Sequence, residues 1–320
     1  MNGILTERRY EQWPSFHVVY EWEDILAEYF NIPIIELKRN IVTRFFNKFT
    51  IHSSFSYDFD NWNIAIIMCP ERNRRYVGKN IIPIYLDANE SNIGLLREAV
   101  ANLPLYFVTS MEIWRKLRDS GDERCYYIPL SISDKYRSDL ILNKTIDIIQ
   151  VGRRNSVLHE WALKYCEKHK ETNYVYSSGK NLGYSSTLYG DLEEVVGRQA
   201  YIELLKKSKI SLVSTPGHDG ERHSGMVVDC FTPRFYEGAI SWCYLVGRYV
   251  HNEEAERLKI NMVCDHVETY DEFEDYMTEY INSKWFLKKE NYETFIGENV
   301  TSKRAEVLKQ IMSKKGFHIE

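Results

Sequence analysis

The chain has 320 residues and a formal net charge of −5, from 41 lysines and arginines against 46 aspartates and glutamates. This length suffices for two domains that each bury a core, and the acidic balance argues against nucleic acid as a partner. Six cysteines occur without a C-x-x-C pair, which predicts reduced thiols in the cytoplasm rather than a disulfide framework or a zinc site.

No N-terminal apolar run is long enough for a signal peptide, and no segment approaches the roughly 20 apolar residues of a membrane span. We therefore expect a cytoplasmic protein. Segment 37–49 combines cations with aromatic residues, at Lys38, Arg39, Arg44, Lys48, Phe45, Phe46 and Phe49. This pattern is typical of a helix that binds an anionic membrane surface, and it is also typical of a core-facing helix with a solvated rim. Both interpretations stay open.

In the first half of the chain, short apolar runs alternate with helical patterns, which predicts α/β units around a parallel sheet. The predicted strands are 63–69, 81–86 and 105–108, with a crossover helix over 92–102. Residues 108–121 then predict a strand, an N-cap at Ser110, a helix and a stop at Gly121. Another strand begins at Cys125.

The same alternation returns after a polar linker at about 133–144. Strands are predicted at 146–151, 173–176, 210–214, 244–247 and 262–264, helices at 157–169 and 200–208, and a helical tail from Tyr270 onward. Residues 177–190 are rich in Gly and Ser and predict a loop. Ligands of doubly wound sheets lie outside the carboxyl ends of the strands, so the loop after 210–214 is predicted to contact a ligand.

The most informative segment is 228–240, Val-Asp-Cys-Phe-Thr-Pro-Arg-Phe-Tyr-Glu-Gly-Ala-Ile. Thr232 can cap a helix whose first residue is Pro233, and the free N–H groups of that helix start, with Arg234, suit a diphosphate. Arg234 and Glu237 could instead form a surface i, i+3 ion pair. The apolar neighbours of Glu237 favour a ligand-binding role, because an unpaired charge there would be costly.

This segment resembles the donor-binding half of GT-B glycosyltransferases of the group 1, family 4-like superfamily, which carry a Glu-x7-Glu element. The resemblance implies that Glu237 holds the ribose of a nucleotide sugar and that Asp229 lies near the donor sugar. Asp229 replaces the family's first glutamate, so the retaining stereochemistry does not carry over.

By topology the resemblance spans most of the chain, and it implies an α/β fold of two Rossmann-like doubly wound domains facing a central cleft. The implied domains are an acceptor domain at 1–132, a donor domain at 145–285, and a helical tail at 286–320 that packs back on the first domain.

Further donor-binding residues are predicted around this segment. Gly152, Arg153 and Arg154 follow a strand and could grip a diphosphate, although a solvated basic turn fits as well. The loop after 210–214 offers side chains for phosphate or sugar, or is an ordinary surface loop; its residues are Gly217, His218, Arg222 and His223. Their spacing matches no metal motif, so no metal is predicted. By analogy with the family, Tyr201 lines the nucleobase pocket, unless it is a core residue.

The catalytic base should come from the first domain, and its candidates are His17, Glu21, Asp24 and Asp87. Asp87 ends a predicted strand, whereas the other three lie at or within a predicted helix. No spacing rule selects among them.

The resemblance implies a metal-independent enzyme of hexosyltransferase type. It would move a sugar from a UDP- or GDP-linked donor, without a separate cofactor, to a glycan or lipid-linked acceptor in bacterial-type surface polysaccharide synthesis. Binding through 37–49 would make it peripheral to the inner face of the membrane. Two alternatives stay open: a nucleotide-sugar epimerase of the same fold, and a catalytically silent GT-B-like scaffold protein.

Overall fold

The computed structural model describes residues 2–9, 14–37, 61–70, 80–178, 183–192, 195, 197–216, 218–219, 230–284 and 286–318. These residues form two compact units. The first contains the described residues up to Ser133 and those from Thr301 onward, and the second contains those from Asp134 to Val300.

Helices and strands alternate along both units. The strands are β1 (Gly3–Thr6), β2 (Ile34–Glu36), β3 (Asn63–Ile67), β4 (Ile81–Tyr85), β5 (Tyr106–Val108), β6 (Cys125–Tyr127), β7 (Ile146–Gln150), β8 (Tyr174–Ser177), β9 (Tyr184–Ser186), β10 (Gly190–Asp191), β11 (Ser208–Ser214), β12 (Tyr244–Arg248) and β13 (Cys264–His266). The helices are α1 (His17–Phe30), α2 (Ile93–Ala99), α3 (Met111–Asp119), α4 (Ser156–Lys168), α5 (Gly197–Lys206), α6 (Pro233–Ile240), α7 (Glu253–Arg257), α8 (Tyr270–Asn282), α9 (Lys289–Glu298) and α10 (Thr301–Lys314).

The sheet of the first unit is parallel, in the order β2-β1-β3-β4-β5-β6. From β1 the chain moves outward to β2 and then returns to the other side of β1 at β3, so the topological switch point lies between β1 and β3. The predicted cap is confirmed, because Ser110 Oγ accepts the amide of Ile113 at 3.3 Å and opens α3. α10 belongs to this unit, where Arg304 donates to the carbonyls of Pro129 and Leu130.

The sheet of the second unit has the order β10-β9-β8-β7-β11-β12-β13. Five neighbouring strands of this sheet are parallel, namely β8, β7, β11, β12 and β13. The β8–β9 and β9–β10 pairs are antiparallel. The switch point lies between β7 and β11, since α4 leads from β7 to β8 on one side and the chain later enters β11 on the other. The predicted class, α/β with two doubly wound sheets, is confirmed.

The prediction of a loop over 177–190 was wrong, because β9 lies within this range and β10 begins at its end. Gly and Ser signal loops through weak local propensity, but here the backbone pairs with the edge strand β8. Buried Ser186 donates from Oγ to Asn173 Oδ1 at 2.8 Å, and Ser185 donates to Asp191 at 2.6 Å. Tertiary pairing therefore overrides the local composition.

Two further expectations concern the whole chain. All six cysteines are free thiols. Among the described helices, none combines the length and apolar composition that crossing a bilayer requires.

Candidate functional site

The turn after β7 and helix α6 meet near the switch point of the second sheet. Gly152 has φ +68°, a backbone conformation that favours glycine. A Cβ at this position would lie 2.5 Å from Nη2 of Arg234. The guanidinium of Arg234 therefore rests against the Cα of Gly152, in space that any larger residue would take. The structure thus brings together two residues predicted to bind a diphosphate.

Helix α6 begins at Pro233, with Thr232 as its N-cap residue in extended conformation. The predicted helix start is confirmed, but the predicted side-chain cap is wrong, because the Thr232 side chain makes no cap hydrogen bond. Its Oγ1 is buried and has no hydrogen-bond partner among the described residues. Pro233 has no N–H, and the amide of Phe235 donates to the carbonyl of Thr232 at 3.2 Å, so the amide of Arg234 is the one in this turn that is placed to bind an anion.

Glu237 lies one turn further along α6, with only 3% of its side chain exposed. Arg198 Nη1 donates to Oε1 at 2.5 Å, and the hydroxyl of Tyr201 donates to Oε2 at 2.5 Å. The ion pair of this carboxylate is thus with Arg198 on α5, and not the surface pair with Arg234 that the spacing left open. Burial, followed by the charge of Glu237, raises the pKa of Tyr201 well above its usual value, which keeps the hydroxyl a donor.

Sequence reasoning missed two members of this group. Arg198 is three residues before Tyr201 on α5, so both lie on one helix face, and its guanidinium stacks over the rings of Tyr201 and Tyr136 at 5.3 and 5.7 Å. Tyr184, on β9, lies near both Glu237 and Arg234. Burial first and the Glu237 charge second raise the pKa of Tyr184 to about 12. The i, i+3 spacing could have suggested Arg198, but nothing local suggests Tyr184.

The two arginines after Gly152 differ in their surroundings. Arg153 is exposed, whereas Arg154 Nη1 contacts His159 Nε2 at 3.1 Å and its guanidinium lies over the ring of Tyr176. Tyr174 donates its hydroxyl to Gln150, so His159 Nδ1 donates to Tyr174 and Nε2 accepts from Arg154. Burial first and the Arg154 charge second lower the pKa of His159 to about 4, which keeps this acceptor neutral.

A third group of contacts joins the loops that follow β7 and β11 to the last residue of β12. Asn155 caps α4 through Oδ1, which accepts the amide of Leu158 at 2.9 Å, and donates from Nδ2 to Asp219 at 2.5 Å. Arg248 Nε lies 2.9 and 2.8 Å from the two carboxylate oxygens of Asp219. Hydrogen bonds and an ion pair therefore connect the segments at the carboxyl edge of the sheet beside the Gly152 turn.

Known structures share this architecture. S. aureus TarM, crystallised with fondaparinux, alpha-GlcNAc-glycerol and UDP, is similar at 11% identity and TM-score 0.53, over 84% of this chain and 57% of the TarM chain. TarM is a GT-B glycosyltransferase. The chain has the GT-B fold. It spans just over half the length of TarM, and identity at this level shows the fold alone.

Two more structures are similar over larger shares of this chain. The pneumococcal O-GlcNAc transferase GtfA, solved with UDP and GlcNAc, matches at 9% identity and TM-score 0.48, over 87% of this chain and 60% of GtfA. UDP-GlcNAc 2-epimerase from Methanocaldococcus jannaschii matches at 11% identity and TM-score 0.45, over 98% and 99% of the two chains. No protein-family model and no curated protein sequence matches this chain.

The first unit of the GT-B fold carries the residues predicted as catalytic bases. His17 opens α1, Glu21 is buried within it, and Asp24 accepts from Arg8 Nη1 at 2.8 Å. Asp87 is exposed just past the carboxyl end of β4. The structure thus places three candidates along one helix and one at the carboxyl edge of the sheet, and the base stays a prediction.

Sequence reasoning passed over Glu23, a buried carboxyl of this unit whose pKa is raised. Its Oε2 accepts from Thr6 Oγ1 at 2.6 Å and from Arg8 Nη2 at 2.8 Å, while Oε1 is buried with no hydrogen-bond partner among the described residues. Burial raises the pKa of Glu23 from 4.5 to about 7, against the lowering effect of Thr6 and Arg8. Thr6 ends β1, so this group lies at the switch point of the first sheet.

Several predicted residues lie outside the described residues. They are Gly217, Arg222, His223, Asp229 and the 38–49 part of the proposed membrane-binding segment. Their roles stay predictions. His218 is described, and it lies next to Asp219 in the loop after β11.

Proposed function

We propose that this chain is a glycosyltransferase that takes its sugar from a UDP- or GDP-linked donor. The observation that carries the proposal is the arrangement of Gly152, Arg234 and Glu237 beside the switch point of the second sheet. It combines a backbone turn without a side chain, a cation, a helix start and a buried carboxylate. A nucleoside diphosphate needs these groups in this order, phosphates at the cation and ribose at the carboxylate.

The diphosphate would lie between the Gly152 turn and the start of α6. Arg234 supplies a guanidinium and its backbone N–H in the first turn of α6, and Arg153 and Arg154 add positive charge at the rim. The leaving nucleoside diphosphate gains negative charge as the glycosidic bond breaks. Fixed cations and amides aimed at that charge stabilise the transition state without requiring a metal ion.

The ribose would bind at Glu237. A carboxylate offers about four lone-pair sites, and Arg198 and Tyr201 occupy one on each oxygen. Counting only the partners among the described residues, one site on each oxygen remains for the two ribose hydroxyls. Arg198 and Tyr201 would act as positioning residues, because they hold the carboxylate in one rotamer before the ligand arrives.

The acceptor would be a glycan or a lipid-linked glycan, which contacts the first unit. Asp87, His17, Glu21 and Asp24 are the proposed bases, since a hydroxyl acceptor needs a group that takes its proton. TarM was crystallised with UDP and alpha-GlcNAc-glycerol. These ligands support a hexosyl donor. A role in surface polysaccharide synthesis, with membrane contact through 37–49, is part of the same proposal and rests on the sequence pattern alone.

The deciding experiment incubates the purified chain with a panel of UDP- and GDP-sugars, with and without a lipid extract, and follows nucleotide release. Acceptor-dependent release supports the transferase. Isomerised sugar nucleotide without release identifies an epimerase instead, and nucleotide binding without any turnover identifies a scaffold protein. Arg234→Ala should abolish acceptor-dependent release, which ties the activity to this site.

A further inference from the structure

A second cluster of polar side chains lies along the carboxyl edge of the second sheet. His218, in the loop after β11, and His266 and Glu268, at the end of β13, each offer one ligand atom, and these atoms lie within 4.8 Å of one another. Nε2 of His266 is 2.6 Å from Oε1 of Glu268. The proposed glycosyl transfer uses none of these three side chains.

The residues around the cluster hold its members in place. Asp219, adjacent to His218, is tied to Arg248 and Asn155, which anchors the loop. Arg248 also lies 3.3 Å from Oε2 of Glu268. The rings of His251 and Tyr249 pack on His266, with centroids 4.5 and 5.0 Å away. Such contacts orient side chains before a ligand binds.

The charge of the cluster favours a cation. Asp219 and Glu268 contribute two negative charges and Arg248 one positive charge, so with neutral imidazoles the group is negative overall. A phosphate would meet both carboxylates, whereas a divalent cation would meet lone pairs on two imidazoles and one carboxylate. Repulsion from the two carboxylates therefore disfavours an anion at this cluster.

We propose that His218, His266 and Glu268 form a zinc site. Two imidazoles and a carboxylate are ligands that Zn²⁺ binds in proteins, while Ca²⁺ and Mg²⁺ prefer oxygen alone. Zinc bonds of about 2.0–2.2 Å hold tetrahedral ligand atoms about 3.3 Å apart. The His266–Glu268 pair would open slightly and His218 would close in. Three protein ligands leave a fourth position for water.

Zinc binding involves a proton at His266. Nδ1 of this ring accepts the amide of Tyr249 at 3.4 Å, so Nε2 carries the proton that Glu268 accepts. An ion bound at Nε2 would require this proton to move to Nδ1 or to leave the ring. If it moved to Nδ1, the 3.4 Å hydrogen bond from the amide of Tyr249 would be lost, because Nδ1 would then be a donor.

A bound ion would join the loop after β11 to β13. Through Asp219 and Asn155 the same loop reaches the turn that contains Gly152. Zinc would therefore stiffen the edge of the sheet beside the proposed donor site without touching the diphosphate. This inference goes beyond the proposed function, and metal binding can be measured whether or not the chain transfers sugar.

The test uses the full chain stripped of metal and titrated with Zn²⁺ alone against a chromophoric chelator. We expect one equivalent to bind with a Kd below about 1 µM and to raise the melting temperature. His218→Ala and His266→Ala should each weaken binding roughly 100-fold or more, because losing a ligand costs at least as much as losing a ligand's hydrogen-bond partner. Co²⁺ should give the visible absorption bands of a four-coordinate site.

His169→Ala is the matched control, since this histidine stacks on Tyr165 at the end of α4 and should leave binding unchanged. If the histidine variants melt lower than the parent in EDTA, Glu268→Gln decides, because that side chain is 59% exposed and its loss should not disturb folding. Binding that is absent from the parent, or equal in the parent and Glu268→Gln, would overturn the proposal.

Discussion

Arg198 donates to Glu237 at 2.5 Å, and only 12% and 3% of these two side chains are exposed. Removing one member of such a pair leaves the other charge buried and costs roughly 3–5 kcal/mol of stability. A truncation at Glu237 would therefore confuse a folding defect with a binding defect. The pair must be tested with a substitution that keeps the shape of the side chain.

Glu237→Gln should weaken UDP or GDP binding, whichever the parent binds, by roughly 10- to 150-fold. The reason is the loss of a charged acceptor worth about 1.5–3 kcal/mol to the ribose. Calorimetry with nucleotide and nucleoside measures the effect, and the nucleoside should lose as much affinity as the nucleotide. Glu203→Gln, at an exposed position on the helix that carries Arg198, is the control. Unchanged affinity in Glu237→Gln would remove Glu237 from the site.

Gly152→Ala should displace the guanidinium of Arg234, because the new Cβ would lie 2.5 Å from Nη2 at the end of a flexible side chain. We expect at least about a 10-fold loss of nucleoside diphosphate affinity, the equivalent of about 1.4 kcal/mol. Gly190→Ala is the matched control, since Gly190 has φ +71° and a Cβ added there would meet no atom of the described residues within 4 Å. Both variants carry similar backbone strain, so equal affinities in the two would contradict the diphosphate site.

Arg153→Ala, Arg154→Ala and Arg234→Ala should reduce affinity for nucleoside diphosphate far more than for nucleoside, because guanidinium groups act on the phosphates. Arg234 should have the largest effect, since it lies against the Gly152 turn, and Arg154 is partly engaged by His159. Arg137→Ala, at a surface arginine of the same unit, should change neither affinity. Equal losses for both ligands would refute the phosphate assignment.

Glu23→Gln should change how stability depends on pH. The pKa of Glu23 is raised from 4.5 to about 7, so the folded chain binds the extra proton between these values and the parent loses stability as the pH rises through this window. Relative to the parent, the variant should gain up to about 3 kcal/mol between pH 4.5 and pH 8. Urea titrations at several pH values measure the difference, and exposed Glu36→Gln is the control. If the difference in unfolding free energy between variant and parent did not vary with pH, the pKa of Glu23 would not be raised in the folded chain.

Donor turnover should survive EDTA, because in the proposed mechanism arginines and the Arg234 amide would take the place of a cation at the diphosphate. The melting temperature should fall in the same samples if the proposed zinc site is filled. Measuring both quantities before and after chelation separates a structural ion from a catalytic one. Complete loss of turnover that Mn²⁺ restores would contradict the metal-free mechanism.

Much of the architecture could be read from local patterns. Apolar runs of strand length marked β3, β4, β7 and β11, and the Ser110 cap marked the start of α3, because strand and helix periodicity and capping are properties of neighbouring residues. The same locality misled the prediction at 177–190 and at Thr232. At 177–190 the backbone pairs with β8, and at Thr232 the hydroxyl makes no cap hydrogen bond. Both outcomes depend on tertiary contacts and not on neighbouring residues alone.

By itself, the sequence determined the alternation of strands and helices, the start of α6 and the residue types of the proposed donor site. Only the tertiary structure decided which side chains meet. Glu237 and Arg198 are 39 residues apart along the chain. Gly152 follows strand β7, whereas Arg234 lies in helix α6. Their contacts arise because parallel strands place their carboxyl ends along one edge. Residue spacing shows only which side chains are close along the chain. The carboxyl edge of the sheet brings together loops that are far apart in the sequence.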